Sequence, residues 1–310
     1  MKKYIIPIMM MFMGISVVYS QSIQRWTENF DSNTVSFSSI PTNAWSKNNI
    51  YYINAPSSYR GVVPNSLGDS VILTTQVYDF RFYEFVQLRF NHICKISPMD
   101  RIVIEYKLGG QDWKLLPASA YKGKANDYDV VGFNASSYLE WQAGDSTATP
   151  TQSWWKEEVF DLSYYTSFES GVQLRFILKH GKTPATQISY GWLLDNFEIT
   201  AATYEIKFPI VELSSPLVRD TVYGTGWEIN AKVKTATAAP INIPWLKYTA
   251  TNNGVVIKTD SILMTNVDGD SLWKANIPQF TVGTEVFYSV SGKDTVGNYT
   301  TATSWYYIKK

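Results

Sequence analysis

Apolar and polar residues alternate along most of this chain with a period of two, not with the longer period that marks a helix face. In FVQLRFNHI (85–93), Val86, Leu88 and Phe90 point one way and Gln87, Arg89 and Asn91 the other, the pattern of a strand buried on one face. RIVIEYKL (101–108) repeats it through Ile102, Ile104, Tyr106 and Leu108; Gly109-Gly110 then supplies a permissive turn and DWKLLP returns as the partner strand. KEEVFDLS (156–163), GVQLRFILKH (171–180) and SYGWLLDNFEI (189–199) follow the same logic. The pentapeptide VQLRF occurs at 86–90 and again at 172–176, but its flanks differ, so it reads as two strands in similar sandwich positions and not as a duplication. No segment longer than ten residues carries a helical stripe.

A second rhythm begins near residue 206, after TYEIKFPIVELSSP (203–216), which reads as a linker running into a strand. Ile229, Ala231 and Val233 alternate, as do Leu246, Tyr248 and Ala250, then Trp273, Ala275 and Ile277, then Val286, Tyr288 and Val290. TNNGV (251–255) is a hairpin signal, and GKDTVGNY ends in a second turn. Short strands with regular turns over about a hundred residues predict an immunoglobulin-like sandwich, here without the cysteine pair of antibody domains. The chain therefore divides into an N-terminal leader (1–20), one β domain (21–203) and a second β domain (204–310).

The leader decides the expected compartment. MKKYIIPIMMMFMGISVVYSQS carries Lys2 and Lys3, an apolar run from Tyr4 to Val18, and Val18 and Ser20 at −3 and −1 of a cut before Gln21, which is a signal-peptide pattern. The run is short for a membrane anchor, and no later stretch is long and apolar enough to span a bilayer. An exported protein is expected, extracellular, surface-displayed or periplasmic. Charged residues make up 17% and the formal net charge is +0, which argues against a nucleic-acid partner, because such binders need a basic face. Eleven Trp and twenty-one Tyr favour strands. Cys94 is the single cysteine, so no internal disulfide forms; it reads as a small buried apolar residue.

Several pieces, in order, carry a resemblance: ENFD (28–31) with Trp45 after it, LRFNHICKISPMDRIVIEYKLGGQDWKLLP (88–117), SWWKEEVFDLS (153–163), VQLRF and GWLLDNFEI (191–199). Together they resemble the MAM-like and cleaved-adhesin jelly-roll modules of secreted Bacteroidota proteins. WKANIP (273–278), GTEVFYSV (283–290) and KDTVGN (293–298) are similar to the Ig-like or fibronectin-III-like modules that often follow them. The resemblance implies an all-β fold, an antiparallel jelly-roll sandwich of eight to ten strands plus a C-terminal Ig-like β-sandwich. It also implies surface or extracellular display, often by the type IX secretion route. That route usually reads a dedicated C-terminal domain, whereas TTATSWYYIKK looks like the last strand of the Ig-like domain.

In such jelly rolls the first and last strands lie side by side, which would bring ENFD near DNFE. Asp195 and Asn196 interrupt an otherwise apolar strand where ladders avoid them. Two readings stand open. Glu28, Asp31 and Asp195 contribute to a structural Ca²⁺ site joining the two ends, since calcium takes carboxylate, amide and carbonyl oxygens; or these residues accept backbone N–H bonds at a strand-end turn.

Trp141, Trp154 and Trp155, with Tyr164 and Tyr165, are the candidate ligand-binding aromatics, since flat ring faces bind sugars or proteins and Trp154 and Trp155 cannot both point inward on a regular strand; burial in a Trp-rich core is the alternative. Asp-Ser/Thr followed by an aliphatic residue, Met or Thr occurs six times, at Ser70, Ser146, Thr221, Ser261, Ser271 and Thr295, and resembles the O-glycosylation sequon of exported Bacteroidota proteins; turns between strands also favour these pairs.

No HExxH, GxSxG, P-loop or dinucleotide fingerprint occurs. His92, on the Phe90 side of its strand, reads as a satisfied core histidine. Glu157 and Glu158 point to opposite faces and make a poor acid–base pair. The expected function is non-catalytic binding or adhesion at the cell surface, with a glycan or protein partner. Its rivals are the accessory region of a peptidase or glycoside hydrolase, and a structural subunit of an envelope or motility assembly.

Overall fold

The computed structural model describes residues 22–32, 34–53, 56–62, 70–125, 128, 132–138, 148–181, 189–215, 221–223 and 226–309; the leader, Trp141 and Ser146 lie outside them. The described chain is almost entirely strand, and the sole α-helix among these residues is the single turn Ser163–Thr166. No described helix is long and apolar enough to cross a membrane.

The N-terminal body contains β1 (Ile23–Glu28), β2 (Ser38–Ile40), β3 (Trp45–Asn48), β4 (Ser58–Gly61), β5 (Ser70–Thr74), β6 (Tyr78–Asp79), β7 (Phe85–Lys95), β8 (Arg101–Leu108), β9 (Lys114–Leu115), β10 (Lys156–Asp161), β11 (Ser170–Lys179) and β12 (Gly191–Ala202). They form two antiparallel sheets. One runs β10-β7-β12-β4-β3, with β1 also on β12; the other runs β2-β5-β11-β8-β9, with β6 also on β11. The two VQLRF segments lie in β7 and β11, one in each sheet, as equivalent strands of a sandwich would. Between the sheets a core of Leu88, Phe90, Ile104, Phe160, Leu174, Phe176, Trp192 and Ile199 is closed to solvent. Each such side chain contributes roughly 1.5–3 kcal/mol of transfer free energy.

The C-terminal body contains β13 (Ile210–Ser215), β14 (Thr221–Tyr223), β15 (Trp227–Lys234), β16 (Trp245–Asn252), β17 (Val255–Leu263), β18 (Thr265–Asn266), β19 (Leu272–Ile277), β20 (Thr284–Lys293) and β21 (Tyr299–Lys309). Its sheets run β13-β15-β19-β18 and β14-β21-β20-β16-β17, the connectivity of an Ig-like sandwich. β14 runs parallel to β21 at one edge, the exception to the antiparallel rule. Of the predicted inward residues, Ile229, Ala231, Val233, Leu246, Tyr248, Ala250, Ala275, Ile277, Val286, Tyr288 and Val290 are buried in one cluster, and Trp273 packs against it half-buried. The β16–β17 hairpin turns through Asn253 at φ 49° and Gly254 at φ 78°, the left-handed pair that a two-residue hairpin requires.

One polar group sits in the apolar core of the first body. Glu158 faces inward from β10, wholly buried, and accepts hydrogen bonds from the phenols of Tyr121 and Tyr138. His92 shares Nε2 with Tyr138 Oη at 2.5 Å, and its Nδ1 accepts from the Trp192 indole at 3.2 Å. An indole only donates, so Nδ1 is the bare nitrogen and Nε2 carries the proton. The ring is neutral, and burial holds its pKa below the ordinary value despite the pull of Glu158. Cys94, two residues on, is buried too, and its thiol pKa is pushed up by the same desolvation. The sign of the linkage follows: the unfolded chain takes a proton on His92 below about pH 6.5 and the native state refuses it. Stability therefore falls as pH drops through that range. Denaturant midpoints between pH 7.5 and 5 should decline, and His92→Gln, whatever it does to the plateau, should flatten the slope.

Candidate functional site

β12 has neighbours on both edges along its length. β7 follows one edge throughout, while the other is taken first by β4 over Trp192–Leu194 and then by β1 over Phe197–Ala202. Asp195 and Asn196 stand at the change of partner. The ladder to β7 pairs Asp195 with Asn91 and Glu198 with Arg89, so β12 holds one extra residue there, a β-bulge. Asn196 takes φ 50°, a left-handed conformation that Asn tolerates better than most residues. The Asp195 carboxylate is fully buried; it accepts the Asn196 N–H at 2.7 Å and reaches across to the Ile53 N–H at 2.7 Å. The Asn196 side chain donates to Asn91 Oδ1 at 2.9 Å.

As expected, ENFD meets DNFE, with Glu28 opposite Phe197. The carboxylates there are occupied by the backbone. Glu28 accepts from Phe30 N at 2.9 Å and from Ser36 N and Oγ at 3.0 and 2.8 Å. Asp31 accepts from Ser57 N at 3.1 Å and from Asn29 Nδ2 at 2.7 Å. Among the described residues no three His, Cys, Asp or Glu side chains stand together as a metal-ligating group. These bonds are the ones that the strand-end turn reading asks for.

The bulge opens into the seam between the two sandwiches. The outer face of the β7-containing sheet, read above as the exposed side of a half-buried strand, is covered instead. Arg89 is buried; it donates to Tyr299 O at 2.5 Å and to Glu157 Oε1 at 2.6 Å, and lies 4.6 Å from the Phe208 ring centroid. Lys247 Nζ donates to Ile53 O at 3.0 Å, and Arg25 Nη2 to Asn298 Oδ1 at 2.8 Å. Further along the same face, Ile93, Leu193 and Trp155 form a small second core under Tyr51, Ile53, Trp154 and Tyr190.

Between these ties lies a cavity of about 190 Å³. Its floor is the cross-strand row Glu157–Asn91, continued by Asn196. Its roof is the outer face of the Ig-like sheet, where the row Lys247–Ser289–Thr303 lies beside the pair Ser291–Thr301. Ser291 Oγ and Thr301 Oγ1 share a hydrogen bond of 2.8 Å. An adjoining depression of about 330 Å³, lined by Thr27, Glu28, Asn29, Phe197 and Glu198, shares Asn196 and Tyr299 with the cavity. Burial raises the Glu157 pKa against the pull of Arg89, and lowers that of Lys247 against Asp195 and Asp31. The Tyr299 phenol, pushed up to about 12 chiefly by burial, is neutral. The walls are amides, hydroxyls, a phenol, one ammonium and, among the described lining residues of the cavity, one carboxylate.

The candidate aromatics are dispersed. Trp155 is wholly buried and donates its indole N–H to Gln152 at 3.1 Å, so it is a core residue and offers no face to a ligand. The two tryptophans escape strand alternation because a 3₁₀ turn, Gln152–Trp154, precedes β10. Trp154 is half-buried under Lys95, whose Nζ lies 2.9 Å from its ring centroid. Tyr164 is 91% exposed but stands beyond the other end of β10, about 20 Å away at strand rise. Of the Asp-Ser/Thr sites, Ser261 and Thr295 are exposed and Ser70 is half-buried in β5; Thr221 opens β14. Ser271 is buried, which leaves no room for a glycan in the folded chain. Both histidines are engaged, His180 with Asp100 at 3.0 Å.

No family model matches the chain, and neither does any curated protein. Solved structures share its strand layout only loosely. The glycoside hydrolase domain of Endo-D from Streptococcus pneumoniae R6 has 12% identity and a TM-score of 0.30, covering 91% of this chain and 37% of that one. A β-glucuronidase from glycoside hydrolase family 2 has 11% identity and a TM-score of 0.30, covering 92% and 30%. The adhesin domain of Epf from Streptococcus pyogenes has 12% identity and a TM-score of 0.23, covering 82% and 77%. This chain thus spans about a third of the two hydrolase chains.

Asp195→Ala strips the acceptor from two backbone N–H groups and should cost about 1–3 kcal/mol in a denaturant melt. The loss should be the same in calcium and in EDTA, and EDTA should leave the wild-type melting temperature unmoved. A drop on chelation would favour the ion-site reading over the turn reading.

Proposed function

We propose that this chain is an exported, non-catalytic binding protein of the cell surface that holds a sugar unit of a glycan in the seam between its two sandwiches. The observation that carries the reading is the lining of the seam cavity. Rows of hydroxyls and amides both donate and accept, as the hydroxyls of a saccharide require, and a buried site rejects a ligand that fails to pair those groups. At about 190 Å³ the cavity is smaller than the sites of drug-sized ligands and suits one sugar ring; the adjoining depression gives a longer glycan a way out past Asn196 and Tyr299. The non-catalytic part of the proposal is supported by the engagement of Glu157 with Arg89 and by histidines that serve the core. Glycosidic cleavage by the usual route asks for two carboxylates facing one bond.

A glycan array followed by calorimetry on the purified chain tests this. One class of glycan should bind. Thr303→Val, which removes a single hydroxyl without changing shape, should weaken it by about 0.5–1.5 kcal/mol. Ser289→Trp, which fills the cavity, should weaken it roughly tenfold or more with the fold intact by circular dichroism. No binding by the parent chain, binding indifferent to both substitutions, or cleavage of the bound glycan would each refute the proposal.

A further inference from the structure

We propose that β17 is the contact between two copies of this chain, joining their five-stranded Ig-like sheets edge to edge about a two-fold axis through Thr259. β17 is the last strand of its sheet, paired with β16 on one side, and every residue from Val255 to Ser261 is exposed. Its backbone therefore presents a row of N–H and C=O groups that no described strand takes up, and an edge of this kind is a template for another strand. Proteins that keep such an edge monomeric blunt it by making it short, by covering it, or with charges and bulges. β17 carries Lys258, Asp260, whose Oδ1 takes the Ser261 N–H at 2.9 Å, and a bulge at Ile257. Here the edge is nine residues long and apolar at both ends: Val255, Val256, Ile257 and Leu263 are all exposed.

The occupant is argued from the order of residues along the strand. VVIKTDSIL (255–263) is complementary to itself when run antiparallel. A two-fold axis at Thr259 places Lys258 of one copy opposite Asp260 of the other, and by symmetry the pair occurs twice. The apolar residues Val255, Val256 and Ile257 of one copy then fall toward the Ser261–Leu263 end of the other. Within one chain Lys258 Nζ already lies 3.2 Å from Asp260 Oδ2, with both side chains about half exposed. In the pair of copies the four charges alternate, each flanked by its opposite. Opposite charges across a ladder stabilise pairing and like charges oppose it, so this register is favoured and one displaced by two residues is not. The β16–β17 ladder pairs Ala250 with Lys258 but Thr251 with Val256, leaving Ile257 as an extra residue. That bulge limits the regular ladder about the axis to Lys258–Asp260 of each strand, so the charged centre and its Thr259–Thr259 contact set the register, and the apolar ends pack around it. The seam cavity lies on the face of the sheet and this contact on its edge, so the two sites do not compete.

Sedimentation equilibrium on the purified chain provides the test. The parent should show a concentration-dependent dimer that weakens with salt, because the central pairs are exposed. Lys258→Asp sets acid against acid twice and should weaken self-association roughly tenfold or more. The double exchange Lys258→Asp with Asp260→Lys keeps opposite charges in register and should recover it. Both positions are exposed, so neither variant threatens the fold. A monomer at every concentration, a dimer insensitive to Lys258→Asp, or a double exchange that fails to recover the dimer would each overturn the proposal. So would a glycan on Ser261 in protein from the native host, since it would sit in the middle of the contact.

Discussion

The arrangement of both sandwiches depends on the surroundings of β12. A strand with three neighbours has to hand one edge from β4 to β1 part-way along, and a regular ladder has no room for the transfer. The bulge at Asp195–Asn196 supplies it: one extra residue, a left-handed Asn, and a buried carboxylate that satisfies the amides freed at the change of partner. Gly191, at the start of the same strand, takes φ 96° against the Gly61 carbonyl, where a Cβ would come within 2.2 Å. Close approach at one end and a bulge in the middle together hold β4 and β1 on one strand, and that brings the chain's beginning beside the end of its first domain.

Because the bulge points outward, the sheet's outer face cannot be a plain solvated surface. It carries Arg89, Asn91, Glu157 and Asp195, and charged groups like these are expensive to bury unless each finds a partner. Most of those partners lie in the first sandwich itself, Arg89 for Glu157, Asn196 for Asn91 and the Ile53 and Asn196 N–H groups for Asp195; the second sandwich adds the Tyr299 carbonyl to Arg89. The Arg89 guanidinium shows the balance of terms. It loses water, gains a carboxylate and a carbonyl, and stacks on Phe208. A buried ion pair of this sort adds little net stability. Since Glu157 stands on the same sheet as Arg89, what ties the guanidinium across the seam is its bond to the Tyr299 carbonyl and its contact with Phe208.

Most of the strands were legible because their inward positions alternate with a period of two, and the Ig-like half reads almost residue by residue from Ile229 to Val290. Three features were not legible, each for a physical reason. The polar face of FVQLRFNHI looks like a solvent face whether water or a second domain covers it, because local alternation reports only that one side is more polar. Trp154 and Trp155 were read on a strand, but a 3₁₀ turn places them, and nothing local distinguishes the two. The seam cavity draws on segments more than a hundred residues apart, from Asn91 to Thr303. Its signal was a weak one: Ser289, Ser291, Thr301 and Thr303 are hydroxyl residues at alternate positions of two strands that pair. Asp195 and Asn196, by contrast, announced themselves by standing where the strand pattern excludes them.

Two of the polar constellations among the described residues have different fates. Glu158, Tyr121, Tyr138, His92 and Trp192 form a closed circuit inside the first core, in which each donor points at an acceptor and burial keeps the histidine neutral. Such a circuit specifies packing: His92 and Glu158 at its centre are wholly buried, and Tyr121 is its partly buried edge. The seam assembles similar chemistry between the two bodies. Its groups converge on a space large enough for several waters, and a polar ligand displacing that water gains only if it matches the hydrogen bonds it removes. On the proposed function, selectivity of the seam would rest on the same tie between the sandwiches: with Arg89 in place the hydroxyl rows face Asn91 and Glu157 at fixed separation, and little ordering would remain to be done when a ligand arrives.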